Sequence, residues 1–185
     1  MTLRITLGQL LHDHAARFGE RPCITMAPSG ETLSYAGLDS LVNRAAHGLC
    51  DGIAGGRLNA GSGHLAVMLE NGIPYLEMSY ALKKIDLVEV SISRAFRGPA
   101  RVRMINLTSC ETLLSSPAHF ESLADISGDL PHLRVLIVTA GAEDAAARFP
   151  HLEIISFDSL LANRDDHIVS AAADTDTAFV MFTSG

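Results

Sequence analysis

The sequence lacks several features that would place it in common functional classes. It contains no tryptophan, only 5% of its residues are aromatic, and its three cysteines lie far apart. We therefore expect neither a disulfide framework nor a structural zinc site. Positive charge is also scarce, with 14 Lys and Arg residues against 21 Asp and Glu. No basic run is long enough to follow a phosphodiester backbone, so a nucleic-acid partner is not expected.

Long hydrophobic runs are missing as well. No stretch of about 18 or more apolar residues occurs, so the sequence predicts no transmembrane segment. Residues 1–7 have neither the apolar core nor the small-residue cleavage site of a signal peptide. Together with the few, unpaired cysteines, these absences predict a cytoplasmic protein.

What the sequence does contain is aliphatic side chains in alternating patterns. Nearly half of the residues are apolar (48%), which suits a sheet flanked by helices. N-caps are predicted at Thr6 and Ser34, with a short hairpin over residues 22–34 between the two helices. The repetition of strand and helix patterns predicts an α/β fold with a doubly wound, mostly parallel sheet flanked by helices. Strands are predicted at residues 64–69, 87–92, 112–114, 133–139 and 178–182; further helices are predicted at residues 74–84, 98–108 and 157–161; residues 115–129 show no clear pattern.

Several polar clusters invite a functional interpretation that their spacing does not favour. The His-Asp-His run at residues 12–14 cannot direct all three side chains at one ion if it is helical, so a solvated surface is the better interpretation. The acidic pair at residues 165–166 and the polar stretch at 170–174 are typical of a surface linker. The only basic cluster comprises four arginines, for which a solvated helix face is favoured over an anionic ligand. These are Arg94, Arg97, Arg101 and Arg103.

The most informative feature is the end of the chain. The apolar run 178–182 leads directly into Thr183, Ser184 and Gly185. A buried strand that ends in a small-residue loop can present backbone N–H groups and hydroxyls to a phosphate. Three residues alone more often form an ordinary turn, so the surrounding sequence decides the interpretation.

Four stretches in this order resemble the N-terminal part of the adenylate-forming superfamily, which comprises acyl-CoA synthetases, luciferases and adenylation domains of peptide synthetases. They lie at residues 33–49, 65–83, 88–98 and 176–185. The last is similar to the opening of the family's Thr-Ser-Gly-Thr-Thr-Gly-x-Pro-Lys-Gly phosphate loop. The third is most similar to carnitine-CoA-ligase-like acyl-CoA synthetases.

The resemblance implies activation of a small carboxylic acid in two steps, with ATP, Mg²⁺ and coenzyme A as cofactors. The carboxylate attacks the α-phosphate of ATP to give an acyl-adenylate, and a thiol then displaces AMP. Thr183, Ser184 and Gly185 would begin the loop over the ATP phosphates, with hydroxyl donors and close backbone approach at glycine. No protein nucleophile is implied for adenylation, so no catalytic residue and no metal ligand is assigned.

The resemblance also implies that residues 1–185 form a partial N-terminal domain that ends inside the phosphate loop, so we expect the isolated chain to be inactive. Ser91 and Ser93 stand where the family usually has Pro and Asn, and Asp86 stands where a Gly often begins the strand. The last strand would lack neighbours, and an exposed apolar edge would favour self-association.

Two other classes remain open from the sequence. A non-catalytic α/β binding or interaction module would need none of the missing loop residues, but the ending at residues 182–185 would then be coincidental. A flavodoxin-like or receiver-like domain is the weakest alternative, because no acidic cluster can be assembled at the predicted strand ends.

Overall fold

In a computed structural model, residues 5–27 and 29–183 are described. A six-stranded parallel sheet carries helices on both faces, and a two-stranded antiparallel hairpin lies beside it. This confirms the predicted doubly wound α/β fold. The helices are α1 Leu7–Phe18, α2 Tyr35–Ala54, α3 Ile73–Lys84, α4 Pro99–Leu107, α5 Phe120–Ala124, α6 Ala142–Arg148 and α7 Phe157–Leu160. The strands are β1 Pro22–Thr25, β2 Thr32–Ser34, β3 His64–Met68, β4 Val88–Ser91, β5 Thr112–Ser115, β6 Val135–Val138, β7 Glu153–Ser156 and β8 Phe179–Met181.

Local sequence signals account for how the first helices begin. Thr6 caps α1 by accepting a hydrogen bond from the Gln9 N–H, and Ser34 caps α2 by accepting one from the Gly37 N–H. Both caps were predicted, as was the hairpin whose strands β1 and β2 pair between them. The sequence reading missed α6 and β7, as well as the short helices within residues 115–129.

The order of the strands across the sheet is β7-β6-β5-β3-β4-β8. The chain runs outward from β3 to β4, then crosses β3 to reach β5 and continues to β6 and β7 in the opposite direction. The direction therefore reverses between β3 and β5, which makes this the topological switch point of the sheet. The last strand, β8, returns to the far edge and pairs with β4.

Each face of the sheet buries its own aliphatic core. Alternate residues of β3 illustrate the division, with Leu65 and Val67 in one core and Ala66 and Met68 in the other. The first core packs against α1, α2, α3 and α7, and the second packs against α4, α5 and α6. The change of helix face accompanies the change of direction at the switch point, as a constant crossover handedness requires.

The segment between α7 and β8, residues 161–178, has no regular secondary structure and is called the strap below. It begins where α2 and α7 approach closely, since a Cβ on Gly48 would lie 1.7 Å from the Leu160 carbonyl oxygen. Hydrogen bonds then fasten it along α2, including two between the backbone and side chain of Arg44 and the backbone of Ala162. The predicted surface linker is therefore held in place by specific contacts.

Asp86 fixes the last part of the strap. Its backbone is left-handed, with φ of 61°, a conformation that glycine adopts at lower cost than most residues. Its carboxylate accepts hydrogen bonds from the Ser170 hydroxyl and from the Ala171 and Ala172 N–H groups. The aspartate thus adopts a backbone conformation that favours glycine, and its side chain holds the strap by hydrogen bonds. No helix in the described part of the chain is long and apolar enough to cross a membrane.

Candidate functional site

The candidate site lies where the carboxyl ends of β3, β4 and β5 meet at the switch point. The loops that leave these three strands enclose an open cleft of about 710 Å³. Parallel α/β sheets place ligands at this position because the diverging loops leave a crevice there. The switch-point cleft is lined by Glu70, Arg94, Arg97, Arg101 and His119, among others.

Arg101 is the most deeply buried of these residues, with 1% of its surface exposed. It lies in the first turn of α4, where one terminal nitrogen donates to the Ser122 hydroxyl at 2.7 Å and the other to the Phe96 carbonyl at 2.8 Å. Both acceptors are neutral, and the Arg101 Nε has no hydrogen-bond partner among the described residues. Burial, together with the charge of Arg97, lowers the pKa of the Arg101 guanidinium.

This burial corrects the interpretation of the arginine cluster as a solvated helix face. Arg94, Arg97 and Arg103 are exposed as expected, but Arg101 is not. Arg94 and Arg97 precede α4 and line the rim of the cleft, whereas Arg103 is not among the lining residues. Only part of the cluster is therefore solvated helix surface, and the rest belongs to the cleft.

Glu70 and His119 both line the cleft and are in contact with each other. Glu70 follows β3, and His119 follows β5. The His119 Nε2 lies 3.0 Å from a Glu70 carboxylate oxygen, without the angle of a hydrogen bond, and Ser116 donates to the other oxygen at 2.8 Å. Burial would raise the Glu70 pKa, but hydrogen bonds from its own N–H and from Ser116, with the charges of His119 and Arg94, lower it overall. Burial lowers the His119 pKa, although the neighbouring Glu70 opposes the shift.

A second, smaller groove of about 280 Å³ lies beside the end of β8. Tyr75, Ser91, Arg94 and Phe182 are among its lining residues, and Arg94 also lines the switch-point cleft. The predicted site residue Thr183 follows Phe182 directly and is exposed. The other two predicted site residues, Ser184 and Gly185, lie outside the described residues.

Beneath this groove, a buried ion pair ties β8 to the sheet. The Lys83 Nζ lies 2.6 Å from a Glu89 carboxylate oxygen and 3.6 Å from the centre of the Phe179 ring on β8. Glu89 also accepts hydrogen bonds from the hydroxyls of three residues of α3 and β4, so each of its carboxylate oxygens accepts two hydrogen bonds. These three are Tyr75, Ser79 and Ser91. Both charges of the pair thus have a close partner within the fold, as expected of a structural ion pair.

A second buried polar cluster lies under the strap, on the face of the sheet that α1, α2 and α3 cover. The Lys84 Nζ donates to Asp39 at 2.7 Å and to Asn43 at 2.6 Å. The ring of His12 stacks on that of His167 at 3.6 Å and lies 3.3 Å from Asp39. His12 is therefore only partly solvated, because its ring stacks on the strap while its side chain stays 36% exposed.

The acidic pair of the strap is also less free than predicted. A carboxylate oxygen of Asp165 accepts a hydrogen bond from Ser40, and the Asp165 carbonyl accepts one from Asn43. The carboxylate of Asp166 lies 3.2 Å from His47 on α2. Across residues 5–27 and 29–183, no group of three or more His, Cys, Asp or Glu side chains is arranged to hold a metal ion.

The arginine cluster was identified from the sequence, but the cleft that three of these arginines line was not predicted. Glu70 lies within the family-like stretch 65–83 but was given no role there, and His119, at the end of the short 3-10 helix Pro117–His119, belongs to no motif. The available signal was positional, since both follow predicted strands at the edge where ligands of parallel sheets bind. For His119 the preceding strand was predicted at residues 112–114, but the lack of pattern over residues 115–129 gave no reason to place the histidine at the strand end.

Comparison with known protein families matches residues 11–185 to the family described as AMP-binding enzyme. Among curated proteins, no match was found.

Three solved structures illustrate the structural likeness. Coronafacic acid ligase from Pectobacterium brasiliense superposes with a TM-score of 0.79 at 14% identity, over 96% of this chain and 33% of the ligase. A long-chain-fatty-acid-CoA ligase from Archaeoglobus fulgidus gives 0.76 at 18% identity, over 99% and 35%. The A domain of carboxylic acid reductase from Segniliparus rugosus, in complex with AMP and a co-purified carboxylic acid, gives 0.77 at 17%, over 97% and 34%. The chain thus has their fold and spans about a third of their length.

Proposed function

Because this chain belongs to the AMP-binding enzyme family, we propose that it is the N-terminal part of an AMP-forming acyl-CoA synthetase. The match over residues 11–185 carries the proposal, since it includes both cores, the switch point and the start of the predicted phosphate loop. Solved ligases with the same fold support it. The narrower likeness to carnitine-CoA ligases rests only on the amino-acid sequence of residues 88–98.

In the proposed reaction, a carboxylate oxygen attacks the α-phosphorus of ATP and the bond to pyrophosphate breaks. The sulfur of coenzyme A then attacks the acyl carbon, AMP leaves with the bonding electrons, and the thiol proton passes to solvent. Such a reaction depends on aligning the reactants and on distributing phosphate charge over donors. From this chain, Thr183 would supply a hydroxyl donor, and Ser184 and Gly185 would continue the loop.

The described residues offer no set of ligands for Mg²⁺, so no step of the reaction is assigned to the ion here. No described residue is assigned to the acid pocket, so the proposal names only the substrate class that the resemblance implies, a small carboxylic acid. A cytoplasmic location and self-association through the β8 edge stay predictions. Met181 on that strand is 67% exposed, which is the feature that would favour self-association.

ATP–pyrophosphate exchange tests the proposal. The chain extended by its native downstream sequence should exchange label in the presence of a suitable carboxylic acid, and residues 1–185 alone should not. Within the extended protein, Thr183→Ala should slow exchange about tenfold or more, because one charge-assisted donor is lost. Thr183→Ser keeps a hydroxyl and should restore most of the rate.

Two results would contradict the proposal. Exchange by residues 1–185 alone would contradict the expectation that the isolated chain is inactive. A folded extended protein that exchanges with no acid from a broad panel would favour the alternative, a non-catalytic α/β binding module.

A further inference from the structure

Arg101 differs from the other deeply buried cations in having no anionic partner. Lys83 and Lys84 each contact a carboxylate, at 2.6 and 2.7 Å. Arg101 donates only to a hydroxyl and a carbonyl, and among the described residues its Nε donates to nothing. A guanidinium keeps its charge at all ordinary pH values. A buried charge of this kind is costly unless a counter-charge compensates it.

The surroundings of Arg101 leave room for such a counter-charge. Arg101 lies on the wall of the switch-point cleft, whose volume of about 710 Å³ exceeds what a single water molecule needs. Arg94 and Arg97 are exposed on the rim of the same cleft. Arg97 and Arg101 form no ion pair among the described residues. Arg94 has one long contact, with a nitrogen 4.0 Å from a Glu70 carboxylate oxygen.

We propose that the switch-point cleft binds an oxyanion, a phosphate or sulfate group, with Arg101 as its buried cation and Arg94 and Arg97 at the rim. Arginine suits this role because its planar donors match the geometry of tetrahedral and planar oxyanions. The site is separate from the phosphate loop predicted at Thr183, and it does not depend on adenylation.

Acidic residues also line the cleft, and they limit the negative charge that it can accept. Glu70 is already engaged by Ser116 and by the contact with His119. Glu121 and Asp125 also line the cleft and are exposed. With three carboxylates beside three arginines, the cleft suits one compact anionic group, and a polyanion would meet repulsion at the rim.

Isothermal titration of the protein with inorganic phosphate tests the site. We expect saturable binding that Arg101→Met weakens about tenfold or more, since a hydrogen-bonded charge is lost. Arg103→Met is the matched control, because Arg103 is exposed on the same helix and does not line the cleft. It should leave the affinity unchanged. Arg97→Gln, an exposed substitution that the fold tolerates, should weaken binding as well.

Circular dichroism and thermal unfolding of each variant separate loss of binding from loss of fold. The proposal is overturned if phosphate does not bind saturably, or if a folded Arg101→Met binds it as tightly as the original protein. Competition then identifies the source of the anion. If coenzyme A displaces phosphate, the anion is carried on that thiol; if phosphate stays bound, the anion is taken up free. Either result supports the oxyanion site.

Discussion

The two faces of the sheet treat buried charge in different ways. On the face covered by α1, α2 and α3, the Nζ of Lys84 contacts Asp39, Asn43 and His167 of the strap, all of them polar. On the opposite face, Arg101 is equally buried but has only neutral partners. A charge that serves the fold is compensated within the fold. A charge that is left uncompensated beside a cleft indicates a ligand.

Glu77 is an intermediate case on the first face. It is buried, and one of its carboxylate oxygens has no hydrogen-bond partner in the described part of the chain. Unlike a guanidinium, a carboxylate can remove its own charge by taking up a proton. Burial raises the Glu77 pKa to about 7, although the nearby Arg44 opposes the shift. The three residues therefore represent compensation by a partner, by a proton and, as proposed, by a ligand.

Breaking the compensated cluster should have the largest effect. Lys84→Met leaves the carboxylate of Asp39 buried without its cation, and removal of one partner of a buried pair costs about 3–5 kcal/mol. Denaturant unfolding should show this loss of stability. The double variant Lys84→Met/Asp39→Leu removes both charges, and it should recover part of the loss. A single variant that costs less than about 1 kcal/mol would contradict the assignment of this cluster to the fold.

Glu77 should produce a smaller effect that depends on pH. The pKa is higher in the folded protein than in the unfolded chain, so the folded state holds the proton longer. Stability should therefore be highest below about pH 4.5 for this group, and fall as the pH rises to about 7. The loss amounts to about 3 kcal/mol, since each pKa unit corresponds to about 1.4 kcal/mol.

The measurement is the free energy of unfolding between pH 4.5 and 8 for the original protein and for Glu77→Gln. The variant cannot take up the proton, so the difference between the two proteins should change over this range. Glu31→Gln is the control, because Glu31 is an exposed carboxylate. Parallel pH profiles for Glu77→Gln and the original protein would show that Glu77 is not protonated in the fold.

The elements that the sequence predicted well are those with local causes. The caps at Thr6 and Ser34 depend on a side chain and a backbone N–H three residues later. The continuous apolar run of β6 directly reflects burial on both faces. By contrast, α5 has only five residues and is held by contacts such as the one between the Phe120 and Phe149 rings, which lie 5.9 Å apart. Such distant contacts are not visible in a local pattern.

The same distinction explains what was predicted of the site. A phosphate-binding role for Thr183 was predicted from the apolar run before it and from the family resemblance, and it stays a prediction. The burial of Arg101 could not be inferred, because the apolar residues of α4 do not mark its buried side: Leu107 is exposed, whereas Arg101 is buried. The contact between His12 and the strap depends on residue 167, far away in the chain. Tertiary packing, and not local pattern, decides whether a polar residue is solvated.

The smallest effect on stability is expected at Arg101 itself, and it sharpens the contrast with Lys84. Arg101→Met exchanges a buried cation without an anionic partner for an apolar side chain of similar length, and no carboxylate is left unpaired. The Ser122 hydroxyl and the Phe96 carbonyl each lose a donor, but removal of an uncompensated buried charge offsets part of that cost. The free energy of unfolding should therefore fall by less than about 2 kcal/mol. Adding phosphate should then raise the thermal midpoint of the original protein but not that of Arg101→Met, because only a ligand that binds the folded state stabilises it. A large destabilisation without phosphate would instead assign Arg101 to the fold, as Lys84 is, and would remove the reason to expect a ligand in the cleft.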